Sequence, residues 1–174
     1  MDNYKRYSLI IRIIEKLVKK ESWCGDTHIQ KAIYLLQEIT NVNPEYRFIL
    51  YKHGPYSFDL SDDLRSMRAD GYLDLEPTYP YGGCYTIRKR GNYLREYYRD
   101  YLNKNEDQID LITETIGNLT VVNLEKLSTA LYVTKEKRDS SVVRRAAYLN
   151  RLKPHVKVKE AERFIKKVDT LLRR

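Results

Sequence analysis

Residues 46–91 read YRFILYKHGPYSFDLSDDLRSMRADGYLDLEPTYPYGGCYTIRKRG, and the order of local signals in them decides the fold. Tyr46, Phe48 and Leu50 alternate with Arg47, Ile49 and Tyr51, the period of a strand, before Gly54-Pro55, which extends neither a helix nor a central strand. Ser57 then offers a side-chain oxygen to the free amides of a helix start, and Leu60, Leu64 and Met67 follow on one face. Gly71 suits the left-handed position that ends such a helix. Tyr72, Leu73 and Leu75 read as a strand, residues 77–83 as a loop and Tyr85 to Ile87 as the returning strand. Helix, strand, loop, strand is the layout of a winged helix-turn-helix, with Arg88-Lys89-Arg90-Gly91 leading into another helix.

Working outward toward the N-terminus, Leu9, Ile10, Ile13, Ile14, Leu17 and Val18 form a stripe at helical spacing, with Lys19 and Lys20 where cations favour a helix end. Thr27-His28-Ile29-Gln30 fits a capping box, and Ile29, Ala32, Ile33, Leu36 and Ile39 make the inner face of a second helix. Beyond Gly91, a helix is expected from Asn92 to Leu102, with Leu94, Tyr97, Tyr98, Tyr101 and Leu102 on one face. Asn103-Lys104-Asn105 marks its end or an exposed kink. Further helices are expected from Asp107 to Ile116, from about Leu124 to Thr134, from Val142 to Leu152 capped by Asp139 or Ser140, and from Lys159 to Leu172. The reading is mainly α with a small β-hairpin: a winged helix-turn-helix over 1–91 and a helical subdomain over 92–174, basic toward the C-terminus.

Composition narrows the function classes. Of 174 residues, 42% are hydrophobic, enough for a core, and no apolar run approaches the roughly 20 residues that span a bilayer. Charges interrupt the apolar N-terminal stretch, unlike a signal peptide, so a cytoplasmic location and no membrane partner are expected. Cys24 and Cys84 lack the paired spacing of a zinc site and read as small apolar residues; neither a metal nor a cofactor is expected. The net charge of +8 is a C-terminal property: residues 135–174 carry 14 Lys+Arg against 5 Asp+Glu, and the rest of the chain is close to neutral.

The segments IQKAIYLLQE, YRFILYKHGPYSFDLSDDLRSMRADGYL, NLEKLSTALYV and RLKPHVKVKEAERFIKKV together resemble the prokaryotic YwgA-like proteins, related to the wider Panacea group that includes SocA-type antitoxins and phage-associated proteins. The most specific part is the turn from Tyr51 to Ser57 with its following helix. The resemblance implies a winged-helix fold with extra helices in a toxin-antitoxin, mobile-element or defence setting, and it carries no catalytic residue.

A recognition helix usually brings Arg, Lys, Asn or Gln to the groove in its first half. Here that half carries Asp59, Asp62 and Asp63, which repel phosphate and favour a helix N-terminus facing solvent or a protein partner. Tyr79 and Tyr81 in the hairpin loop are expected to form an adhesive tip for such a partner, while Tyr85, Tyr97 and Tyr101 pack inside. Nucleic-acid contact falls instead to Arg88, Lys89 and Arg90 and to Arg144, Arg145, Arg151, Lys153, Lys157 and Lys159, the densest cationic region.

The seven glycines form no phosphate-cradling loop, and His53, Ser57 and Asp59 lie too close along one turn for a triad, so no enzyme is expected. His53 reads as a residue that fixes the turn. The expectation is an accessory or regulatory protein that works by binding a protein partner, with nucleic acid at the basic tail. The alternative is a transcriptional repressor, homodimeric because paired wings read paired half-sites.

Overall fold

The structure, a computed structural model, describes residues 2–78, 82–138 and 140–173. In chain order its elements are α1 (Asn3–Lys19), α2 (Asp26–Ile39), β1 (Ile49–Tyr51), β2 (Gly54–Tyr56), α3 (Phe58–Ala69), β3 (Leu73–Thr78), β4 (Gly82–Ile87), α4 (Lys89–Tyr97), α5 (Arg99–Lys104), α6 (Glu106–Ile116), α7 (Val121–Glu136), α8 (Val142–Leu152) and α9 (Val158–Leu171). The chain is mainly helical with small antiparallel hairpins. Among the described residues no helix is long and apolar enough to cross a membrane.

Two helices form the hub. In α1 the apolar stripe widens until residues 7–11, 13, 14 and 17 are all buried, with α2 on one side and α4 to α6 wrapped over the other. Val18, expected in the stripe, faces solvent instead. The polar side of α1 is covered by ion pairs: Arg12 and Lys16 both reach Glu106, at 2.5 Å each, and Lys16 also meets Asp110 at 2.6 Å. Helix α2 is buried on every side from His28 to Leu36, because α1, α3, α6, α7 and β2 all pack against it. At roughly 1.5–3 kcal/mol for each fully buried Leu or Ile, these two helices anchor the core.

Several helix ends follow the sequence and several do not. Ser57 caps α3, accepting from Leu60 N at 3.2 Å. Gly71, at φ 73°, closes that helix: Tyr72 N donates to Met67 O at 2.8 Å and Gly71 N to Arg68 O at 3.1 Å. The capping box at Thr27 does not form, since α2 starts two residues earlier, behind Gly25, and Gln30 is drawn to another partner. Helix α8 is capped by Ser141, which accepts from Arg144 N at 3.3 Å, rather than by Ser140; Asp139 lies outside the described residues. Tyr97 does not pack inside: it is 82% exposed, because the helix expected over 92–102 breaks at Tyr98 into α4 and α5.

Among the described residues there are two hairpins where the sequence suggested one and a lone strand. β3 and β4 pair from Leu73↔Ile87 to Thr78↔Gly82. The strand expected from Tyr46 shortens to β1 and turns back at once into β2, with Tyr51 opposite Gly54. Tyr46 leaves the strand because Gln37 holds it: Tyr46 N donates to Gln37 Oε1 and Gln37 Nε2 to Tyr46 O, both at 3.0 Å. A further strand-like contact joins the linker between α1 and α2 to the second hairpin, with Tyr85 N donating to Cys24 O at 2.9 Å.

Candidate functional site

The hairpin β1–β2 is built from outside itself. Gln30, two turns before Gln37 on α2 and so on the same face, clasps Ser57 in the same way: its Nε2 donates to Ser57 O and its Oε1 accepts from Ser57 N, both at 2.9 Å. Next to it Lys31 Nζ donates to Pro55 O at 2.8 Å. Gly54 sits at φ 85° against α7, where a Cβ would come within 3.0 Å of Thr129 Oγ1 and 3.2 Å of Ser128 Oγ, so the position requires glycine. From the far end of the chain Lys153 donates to Tyr51 O at 3.3 Å and to Lys52 O, and pairs with Glu125 at 3.1 Å. Glu125 also meets His53 at 3.5 Å.

Anchored from behind, the hairpin presents aromatic rings in front. Tyr51 is 54% and Phe58 55% exposed, and both touch half-buried Tyr56. Ring centroids lie 5.7 Å apart for Tyr51 and Tyr56, 5.8 Å for Tyr51 and Phe58, and 5.1 Å for Tyr56 and Phe58. Exposed Ile49 continues the apolar surface along β1. Asp59 and Asp62 stand beside it on the first turns of α3, both exposed; Arg65 meets Asp62 at 2.6 Å and Arg47 lies 3.9 Å from Asp59. Asp63 is not on that face. It turns inward to accept from Tyr46 Oη at 2.6 Å and Tyr7 Oη at 3.4 Å, locking α3 to α1. Tyr79 and Tyr81 lie outside the described residues.

The cations expected to meet nucleic acid separate into two kinds. Arg88 is tied to Asp74 at 2.5 Å, while Arg90 donates to Asp70 O at 2.8 Å and stacks over Tyr72. Lys89 opens α4 over Tyr93. Arg145 is 7% exposed and grips Asp169 through two 2.7 Å bonds, and Lys153 is buried in the hairpin anchor, so neither belongs to an outer surface. Arg144, Arg151, Lys157 and Lys159 are exposed. The sequence reading overlooked Arg163, Lys166 and Lys167, which extend the exposed cations along α9 with no carboxylate within 4.0 Å among the described residues.

Below the aromatic rim lies a cavity of about 190 Å³ lined by Lys31, Tyr51, His53, Gly54, Tyr56 and the first turn of α2. Burial pushes the Lys31 ammonium down to about 8, with Glu125 opposing and Lys153 reinforcing that shift. Cys24, also buried, has its thiol pushed up by desolvation and stays protonated. Gln30 reads in the sequence only as part of a helix-start capping box, and Lys31 has no assigned role there; the signal that would have found them is the unbroken apolar run from Ala32 to Leu36, which marks a helix buried all round. No protein-family model matches the chain, and no curated protein matches it.

Proposed function

We propose that the chain is a non-enzymatic winged-helix protein that acts by docking a protein partner on the aromatic face of Tyr51, Tyr56 and Phe58. The observation that carries this reading is the cluster itself: three rings in mutual contact, two of them more than half exposed, on a hairpin and the helix start that follows it, whose backbone is held from behind by Gln30, Lys31 and Lys153. Aromatic rings left more than half exposed on a rigid support are the usual anchors of an interface. Asp59 and Asp62 at the edge, with Arg47 and Arg65 beside them, give the face a rim of mixed charge that orients a partner. The winged-helix reading is supported by the order of α1, an extended linker on β4, α2, α3 and the β3–β4 hairpin, and by the resemblance to the YwgA-like and Panacea proteins. That resemblance favours a cytoplasmic regulatory or accessory role in an antitoxin-like or defence setting. The non-enzymatic reading is supported by Ser57, whose buried hydroxyl is used as a helix cap, and by His53, which faces Glu125 rather than Ser57.

Replacing Tyr51 or Phe58 with a photo-cross-linking phenylalanine, in cells that express the neighbouring genes, is expected to trap one partner that the same residue at Arg163 does not trap. Equal capture at all three positions, or capture at Arg163 alone, overturns the reading. A second reading rests on the exposed cations of α8 and α9: Arg144, Lys159, Arg163, Lys166 and Lys167 form the phosphate-contacting surface of a DNA-binding repressor. Duplex DNA binding that weakens steeply with salt and is lost on charge reversal at Arg163 and Lys167 is its expected result; binding unaffected by that reversal removes it.

A further inference from the structure

Lys31 differs from the other enclosed cations of the molecule. Among the described residues Arg6, Arg12, Lys16, Lys126, Arg145 and Lys153 each have a carboxylate between 2.5 and 3.6 Å away. Lys31 is only 2% exposed, yet among the described residues its one hydrogen-bond acceptor is Pro55 O and no carboxylate lies within 4.0 Å. Glu125, the carboxylate that acts on it through space, is already engaged by Lys153 at 3.1 Å and His53 at 3.5 Å. An enclosed ammonium with three N–H groups and one acceptor is costly unless something else completes it. The cavity at its side leaves room for that group.

We propose that this cavity binds a carboxylate, with Lys31 Nζ, held in place by Pro55 O, donating to one carboxylate oxygen. The first turn of α2 also lines the cavity, and no side chain caps its amides, which adds partial positive charge on the same wall. Tyr51 and Tyr56 cover the body of the ligand. About 190 Å³ is below the roughly 300–1,000 Å³ of sites for drug-sized ligands, so the ligand is a small organic acid or the carboxylate end of a peptide. Asp26 in the wall, engaged by Tyr85 Oη at 2.6 Å, repels an anion in proportion to its charge, which favours a singly charged carboxylate over the dianion of phosphate. The site shares Tyr51 and Tyr56 with the docking face but takes its charge from Lys31, which that face does not use, and Phe58 lies outside the cavity lining.

Calorimetric titration of the full chain at constant ionic strength tests it, with acetate, benzoate, benzamide, inorganic phosphate, and a short peptide carrying either a free or an amidated C-terminus. Carboxylate binding is expected at pH 7, with benzamide, phosphate and the amidated peptide silent. Benzoate binding assigns the site to a free acid, and binding of the free-ended peptide alone assigns it to a peptide terminus. With Lys31 titrating near 8, affinity falls about thirtyfold by pH 9.5. The other titratable groups facing Lys31 are Asp26, His53, Tyr51, Tyr56, Glu125 and Lys153, and His53→Gln is expected to retain the loss at high pH. Lys31→Met abolishes binding. Where that variant does not fold, ¹³C-dimethylated lysine spectra of the wild-type protein replace it, and one buried lysine resonance moves on addition of the carboxylate. No binding by any carboxylate, equal binding of the amide forms, or binding retained by folded Lys31→Met overturns the proposal.

Discussion

The two hairpins of this molecule are stabilised in opposite ways. β3–β4 has six residues in each strand and a continuous ladder from Leu73↔Ile87 to Thr78↔Gly82; its support from outside is the Cys24 carbonyl, the Tyr85–Asp26 hydrogen bond and the packing of α1 and α3. β1–β2 has three residues in each strand, too few for a ladder to hold in water. Its backbone is instead gripped by Gln30, Lys31 and Lys153, from helices far apart in sequence. A hairpin carried by its ladder tolerates loss of a single side chain; one carried by side chains does not. The second kind also holds its outer rings rigidly, and rigidity is what an interface anchor needs.

The largest effect that separates them is expected at Gln30. Gln30→Ala leaves Ser57 N–H buried without a partner, at about 1–3 kcal/mol, and takes from Ser57 O one of its two donors, Ser61 N remaining at 3.2 Å, so a loss of ~3 kcal/mol in denaturant unfolding is expected. Tyr85→Phe removes one hydrogen bond from the ladder-held hairpin and lowers stability by ~1 kcal/mol. Equal losses in the two variants would erase the distinction.

Lys31 gives the next largest effect, and it depends on pH. Its folded value, about 8, lies below the ordinary 10.5, so between those values the unfolded chain binds more protons than the folded one. Stability of the wild-type protein relative to Lys31→Met is therefore expected to rise as the pH climbs from 8 to 10.5, by up to ~3 kcal/mol, and to be level below 8. Paired unfolding curves at pH 7 and 10 check this. A gap that stays constant would mean that Lys31 acts through packing alone.

The sequence shows the ladder-held region far better than the anchored one. Gly71, Leu73, Leu75 and Tyr85 announce their own turn and strands through local chemistry, and the boundaries of α8 and α9 follow from apolar spacing and Pro154. Nothing local to Tyr51-Lys52-His53-Gly54 says that its partners are residues 30, 31, 125 and 153. Polar anchors carry no periodic signature, and their partners are backbone atoms of another segment. Asp63 and Arg145 mislead for the same reason: a charged residue in a helix reads as surface until the facing tyrosines or Asp169 are placed. Asp59, Asp62, Arg144 and Arg151 kept their expected exposure because nothing packs over them.

Glycine substitutions sharpen the contrast with a smaller effect. Gly54 and Gly71 both have positive φ, at 85° and 73°, but only Gly54 faces side chains; nothing lies within 4 Å of a Cβ at Gly71. Gly71→Ala is expected to cost ~1 kcal/mol from backbone strain alone, and Gly54→Ala ~2 kcal/mol as Thr129 and Ser128 are displaced.

The smallest effect is expected where a charge pair looks strongest on distance alone. Arg88 and Asp74 meet at 2.5 Å at the base of β3–β4, and this hydrogen bond holds the Asp74 carboxyl below its ordinary value. Both side chains are open to water, so solvent screening and the entropy of fixing a long arginine cancel most of the attraction. A depressed carboxylate stabilises above its ordinary range and loses that contribution as the pH falls through its folded value. Screened in this way, the contribution is too small to move the unfolding midpoint, and Asp74→Asn is expected to leave it unchanged at pH 7 with or without added salt. A drop as large as that of Gly71→Ala would show that β3–β4 also needs a side-chain anchor, and the ladder would no longer account for its stability.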